Sequence, residues 1–327
     1  KKGQILEEGI TEAGSMAAWM ACATSYSNND YPLIPFYIFY SMFGFQRIGD
    51  LAWAAGDMRA RGFLMGGTAG RTTLNGEGLQ HQDGHGLVLA ATIPNCIAYD
   101  PTFGYELAVI IQNGMKRMYQ DNESVFYYIT LMNENYEHPP MPEGVEEGII
   151  RGMYLLESGS GQGPRVQLLG SGTILNEVRA AAQLLQEDFG VVADVWSVTS
   201  FNELARDGQH IQRWNMLHPN EKPQASYVTR CLEGMPGPVV ASTDYIRLYA
   251  EQIRPYLNRT YRVLGTDGFG RSDTRQKLRS FFEVDRYYVT VAALDALAED
   301  GKIDRSKVAE ALTKYGIDAD KPDPARS

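Results

Sequence analysis

Segments that read as strands alternate with segments that read as helices along the whole sequence, and this order admits few folds besides parallel sheets covered by helices. Residues 10–26 space small and apolar side chains (Ala13, Ala17, Met20, Cys22, Ala23) at helical intervals with few breakers, which predicts a buried helix. An aromatic and β-branched run at 33–39 predicts a strand, 45–60 a helix, and 62–67 a short strand leading to a turn. Five glycines among polar residues make 70–86 a loop. Residues 87–91 are apolar again, and 93–99 predict a strand ending at the turn or N-cap signal Asp100-Pro101. A helix over 103–119 and the strongly β run SVFYYITL at 124–131 complete this half.

Pro139-Pro140, with Pro142 and Gly144 close behind, interrupts the rhythm and marks a linker between residues 1–142 and 143–327. Beyond it a second alternation predicts strands at 166–169, 191–198, 239–242 and 261–264. Helices are expected over 174–189, 245–257, 275–282, 288–299 and 306–315, with a loose tail from Asp318. Two domains suit 327 residues, since a domain takes ~100–200. The expected class is α/β, with two parallel or mostly parallel sheets flanked by helices.

Forty acidic against thirty basic side chains, a formal charge of −10 and no basic run argue against nucleic acid as a partner. The richest apolar stretch, 33–45, falls short of the ~20 residues of a membrane span and contains Pro35 and Gly44. Cys22, Cys96 and Cys231 are odd in number and far apart, which fits reduced cytoplasmic thiols better than disulfides or a CxxC metal site. The sequons at Asn122 and Asn258 then read as chance matches. The chain opens on Lys1-Lys2-Gly3 without Met and enters an apolar pattern almost at once, so a piece of a longer protein is expected.

Two phosphate-loop imitations fail on inspection. Gly170-Ser171-Gly172 follows a strand and opens a helix, but Leu175 stands where the third glycine of a dinucleotide fingerprint belongs. The run from Gly66 to Thr72 lacks the lysine and glycine spacing of a P-loop. His81 and His85 are spaced to face one metal from a helix, yet the surrounding glycines argue against a helix and no third ligand is near. His81 on such a loop reads either as a proton donor and acceptor near neutrality or as a hydrogen-bonded surface residue. Glu12, at a helix start, reads either as a solvated partner of the helix dipole or as a carboxyl drawn inward with a raised pKa. The aromatic run 36–45 reads as core or as a ligand platform.

Four segments together carry a resemblance: QILEEGITE at 4–12, FYIFYSMFGFQRIGD at 36–50, TTLNGEGLQHQDGH at 72–85 and GTDGFGRSDTR at 265–275. They resemble the homodimeric bacterial pyruvate dehydrogenase decarboxylating components, which are transketolase-like. The resemblance extends over essentially the whole chain and covers the C-terminal portion of those enzymes. It implies a pyrimidine-binding domain for thiamine diphosphate at 1–142 and a transketolase C-terminal-like domain at 143–327. The Gly-Asp-Gly…Asn signature of the diphosphate domain, which holds Mg²⁺, is not in this sequence.

By the same resemblance Glu12 faces N1′ of the aminopyrimidine, sharing a proton that favours its imino tautomer. Tyr40 and Phe43 hold that ring by stacking and shape, and His81 hydrogen-bonds substrate oxygens, with Arg47 and Glu77 in the same network. The implied activity is oxidative decarboxylation of pyruvate, with reductive acetylation of the lipoyl domain of a dihydrolipoyl acetyltransferase core. The implied protein is a cytoplasmic homodimer. Another thiamine diphosphate enzyme, such as a transketolase or a 2-oxoglutarate dehydrogenase, is the alternative, as is a noncatalytic dimerisation module for the chain alone.

Overall fold

The structure, a computed structural model, describes residues 3–327; Lys1 and Lys2, at the start of the expected first domain, lie outside the described residues. In the first half β1 (Phe36–Tyr40), β2 (Phe63–Gly67), β3 (Cys96–Tyr99) and β4 (Phe126–Thr130) form a parallel sheet in the order β1-β2-β4-β3. Every residue of β3 and β4 is buried, as uninterrupted apolar runs in a sheet covered on both faces must be. The helices Glu12–Ala23 and Gly44–Asp57 pack against each other on one face, burying Met16, Trp19, Ile48 and Ala52. Trp19 meets the Phe126 ring edge-on, 5.9 Å between centroids. Each such buried large side chain contributes about 1.5–3 kcal/mol.

The second half holds β5 (Met153–Glu157), β6 (Arg165–Gly170), β7 (Val192–Val198), β8 (Val239–Ser242) and β9 (Tyr261–Leu264). Their order is β5-β7-β6-β8-β9, parallel except for β5, which runs antiparallel to β7. The α/β class expected from the sequence, with parallel or mostly parallel sheets, is the one observed. One continuous apolar cluster reaches from Met16 and Phe126 through Trp196 and Leu169 to Tyr245, so the two sheets share core. Buried Glu106 reinforces the junction. It accepts the Thr102 and Phe103 N–H groups at 2.6 and 2.9 Å, the Tyr154 hydroxyl at 2.7 Å and the Ser197 hydroxyl at 2.6 Å. Burial raises its pKa, and those four donors act against the rise.

Several expectations need correction. The first helix starts at Glu12, where Thr11 caps it by accepting the Gly14 N–H at 3.3 Å, and Ile10 outside it is almost wholly exposed. The helix expected over 245–257 is broken into Leu248–Glu251 and a 3₁₀ turn Arg254–Tyr256 that contains Pro255. The helices Glu146–Arg151, Phe201–Leu217 and Tyr227–Leu232, and strand β5, have no counterpart in the sequence reading. The tail is not loose: Lys321 donates to the Ser280 and Phe281 carbonyls, and Pro324 is buried. Among the described residues no helix is long and apolar enough to cross a membrane.

Candidate active site

The site forms where the C-terminal end of β1 turns into a helix, beside the glycine-rich loop that follows β2. Tyr40 ends β1, and Phe43 closes the 3₁₀ turn Ser41–Phe43. Arg47, one helical turn on, extends its guanidinium over the Phe43 ring, 4.2 Å from the centroid. Arg47 also donates to Glu12 Oε1 at 2.6 Å, at the first turn of the neighbouring helix. Glu12 is mostly covered, its side chain 18% exposed, and is ion-paired with half-exposed Arg47.

The loop brings the other two residues to the same place. His81 ends the 3₁₀ turn Leu79–His81, and its ring meets Phe43 and Tyr40 edge-on at 5.4 and 5.8 Å. The Tyr40 hydroxyl donates to Glu77 Oε2 at 3.1 Å, and His81 Nε2 lies 3.9 Å from that oxygen. Burial raises the Tyr40 pKa, and the Glu77 carboxylate adds to the rise. All six residues singled out in the sequence, Glu12, Tyr40, Phe43, Arg47, Glu77 and His81, thus form one contiguous patch. It offers a carboxylate with a displaceable cation, an aromatic face and an imidazole beside a second carboxylate. Such a set can hold a flat heterocycle and move protons at its edge and at a bound oxygen.

His85 does not join His81. It hydrogen-bonds Gln46 at 2.6 Å from the end of the loop, and among the described residues no group of three His, Cys, Asp or Glu is placed to hold a metal. Gly170-Ser171-Gly172 is not an open phosphate cradle, because a β-carbon at Gly172 would stand 2.8 Å from Asp100 Oδ2. The three cysteines are free thiols.

The supporting residues escaped sequence reasoning. Asp244, fully buried after β8, accepts the Thr72 N–H and hydroxyl at 2.9 and 2.7 Å and those of Thr73 at 3.2 and 2.8 Å. It thereby holds the start of the His81 loop from the second half. Arg279 reaches the Thr72 hydroxyl at 3.3 Å and pairs with Glu134. Burial raises the Asp244 pKa, and the Arg279 cation leads the groups opposing that rise. No local pattern marks Asp244, since its partners lie over 170 residues away.

Residues 1–139 match the family described as the pyruvate dehydrogenase E1 component middle domain, and residues 152–285 match the transketolase-like C-terminal domain. The pyruvate dehydrogenase E1 component of Pseudomonas aeruginosa is 67% identical over 326 residues, 99% of this chain and 37% of the relative. That of Escherichia coli K12 is 62% identical, over 99% of this chain and 36% of the relative. The chain therefore spans just over a third of the length of the curated relatives it matches. Among solved structures, a transketolase from Campylobacter jejuni superposes with a TM-score of 0.67 at 18% identity, over 88% of this chain and 39% of that one. A split-gene transketolase superposes at 0.61 and 16% identity, over 89% of this chain and 83% of the other. In sequence, then, the chain carries a pyruvate dehydrogenase E1 component middle domain and a transketolase-like C-terminal domain, and in fold it is transketolase-like.

Proposed function

We propose that this chain supplies the pyrimidine half of a thiamine diphosphate site in an enzyme that oxidatively decarboxylates pyruvate. The observation that carries the reading is the single patch formed by Glu12, Tyr40, Phe43, Arg47, Glu77 and His81. Its chemistry fits the aminopyrimidine: Glu12 offers a carboxyl to one edge, and Phe43 and Tyr40 offer aromatic surface. When bound, thiamine diphosphate supplies a carbon nucleophile and an electron sink for loss of CO₂ from a 2-oxo acid. Glu12 holds a proton at the pyrimidine N1′, which requires Arg47 to yield. Arg47 is half exposed while Glu12 is mostly covered, so parting them costs on the order of 1 kcal/mol. His81 hydrogen-bonds the substrate's oxygen, and Glu77 orients the imidazole and the Tyr40 phenol.

The division into a pyrimidine-binding domain at 1–142 and a C-terminal domain at 143–327 is part of this reading. Mg²⁺ and the diphosphate group are assigned to the part of the relatives' length that this chain does not span, since the Gly-Asp-Gly…Asn signature is missing here. Ile38, Leu79 and Phe269 are exposed next to Tyr40, His81 and Gly270, which supports a second subunit covering the site in a homodimer. The oxidised lipoyl group of an acetyltransferase core, a disulfide, is the acceptor: its S–S bond breaks as one sulfur takes the acetyl group and the other leaves as a thiol, and the cytoplasm is the compartment. The test is Glu12→Gln in the full-length protein. Turnover of pyruvate is expected to fall about 100-fold or more, as for loss of a proton-transfer group. Near-wild-type turnover would remove Glu12 from its role.

A further inference from the structure

The two residues after His81 are both fully buried and face different anchors. Asp83 accepts the His85 and Gly86 N–H groups at 3.0 and 2.9 Å and the Ser41 hydroxyl, which ties the loop to the turn that carries Phe43. Gln82 faces the second half. Its Nε2 donates to the Leu74 carbonyl at 2.7 Å, across the base of the loop, and its Oε1 accepts the Arg271 N–H at 2.8 Å.

The loop after β9 closes on the same joint. The Gly76 N–H donates to the Asp273 carbonyl at 3.0 Å, and the Ser272 hydroxyl donates to the Gly76 carbonyl at 2.6 Å. Gly78 has φ +68°, and a β-carbon there would stand 2.6 Å from the Arg271 carbonyl carbon and from the Ser272 nitrogen. At Gly270 a β-carbon would stand 2.6 Å from the Leu79 carbonyl oxygen and 2.7 Å from Gln82 Oε1. The two backbones meet with no room for a side chain. Leu79 is held at φ +44°, a conformation costing a β-carbon-bearing residue about 1–2 kcal/mol.

Among the described residues the His81 ring has the 3.9 Å approach of Glu77 and edge contacts with Tyr40 and Phe43, none of which fixes the imidazole alone. Its place follows from the backbone of the turn that Gln82 ends. We propose that Gln82 is a positioning residue for His81: its buried amide joins the loop base to the backbone of Arg271, so the second half sets where the imidazole stands. This rests on the reading of His81 given above. Gln82 itself is fully enclosed and touches no reacting atom.

The test is a double-mutant cycle in the full-length protein with Gln82→Met, His81→Ala and both together. Met preserves length and apolar packing while removing both hydrogen bonds. The expected result is a fall in kcat of about tenfold or more in Gln82→Met, because sub-ångström misplacement of a reacting group is costly. KM and thiamine diphosphate affinity should stay within about threefold, and the His81→Ala background should show no further loss. In the cofactor-free protein, the rate of His81 modification by diethyl pyrocarbonate, mapped by peptide mass spectrometry, is expected to change about threefold relative to His138, His210 and His218. Should Gln82→Met fail to fold, Gly270→Ala presses the same joint from the other side and is read by the same two measurements. Wild-type kcat in a folded variant, additive losses in the cycle, or an unchanged modification rate would overturn the proposal. Unchanged turnover in His81→Ala would instead overturn the role assigned to His81, with the modification rate still deciding whether Gln82 sets its position.

Discussion

Asp100, at the end of β3, is fully buried among other acids, and its replacement by Asn gives a sharp test of how the two halves are joined. Thr130 donates to its Oδ1 at 2.6 Å, while Oδ2 has no hydrogen-bond partner among the described residues. Burial pushes its carboxyl from an ordinary 3.8 up to about 7, and the nearby carboxyls of Asp244 and Glu106 push the same way. The folded chain thus keeps this proton over a range in which the unfolded chain has released it. Stability from this group is complete below the unfolded value and falls as pH rises between the two. At about 1.36 kcal/mol per pH unit, the loss reaches about 4 kcal/mol by neutrality as an upper bound. Asn has the same shape and does not titrate. The assay is urea unfolding of the 327-residue chain, with and without Asp100→Asn, from about pH 5 to about pH 8, read by fluorescence of buried Trp19 and Trp196. Any fixed cost of an unpartnered amide N–H, about 1–3 kcal/mol, shifts the whole difference curve and leaves its slope untouched. The variant is expected to gain on the wild type by about 2–3 kcal/mol across that range. A difference that stays constant to within about 1 kcal/mol would refute the assignment of a neutral, buried carboxyl to Asp100.

Asp244→Ala strands the fixed Thr72 and Thr73 N–H groups, and at about 1–3 kcal/mol each the chain should lose roughly 2–6 kcal/mol in urea unfolding. A loss under about 1 kcal/mol would mean that water or a rearranged loop replaces the carboxylate. Arg47→Met removes the half-exposed cation beside mostly covered Glu12 and is expected to change unfolding free energy by about 1 kcal/mol while still lowering pyruvate turnover in the full-length protein. A stability loss well above that figure would show the pair to be part of the core.

Legibility in the sequence tracked how local each structural cause is. The run SVFYYITL became β4, buried at every residue, because a covered strand needs only uninterrupted apolar and β-branched side chains. The helix Phe201–Leu217 went unread because its buried face is narrow, with Phe201, Leu204, Ala205 and Gly208 set among Asp, Arg, Gln and His. A signal was present nonetheless. Ser200 accepts the Glu203 N–H at 3.0 Å, the hydroxyl half of the Ser-x-x-Glu start signature. Strand β5 is short and antiparallel, and nothing in its five residues announces a direction.

The candidate site was legible only through long motifs, since no period links Glu12 to His81. Their meeting is a product of the fold, as Tyr40, Phe43 and Arg47 issue from one strand end and lie between them. What holds the site was illegible for a further reason. Gln82, Asp83, Thr72 and Thr73 are polar residues of a glycine-rich loop, a composition that describes an exposed loop equally well. Thr72, Thr73 and Gln82 are answered from the far half of the sequence by Asp244 and the Arg271 N–H, whereas Asp83 is answered within the first half by Ser41 and the His85 and Gly86 N–H groups. Burying four polar side chains is tolerable only when each finds a partner, and here three of the four find one in the second half. The glycine-rich loop is therefore a joint between the halves, so a substitution in the second half can reach His81 without touching the patch.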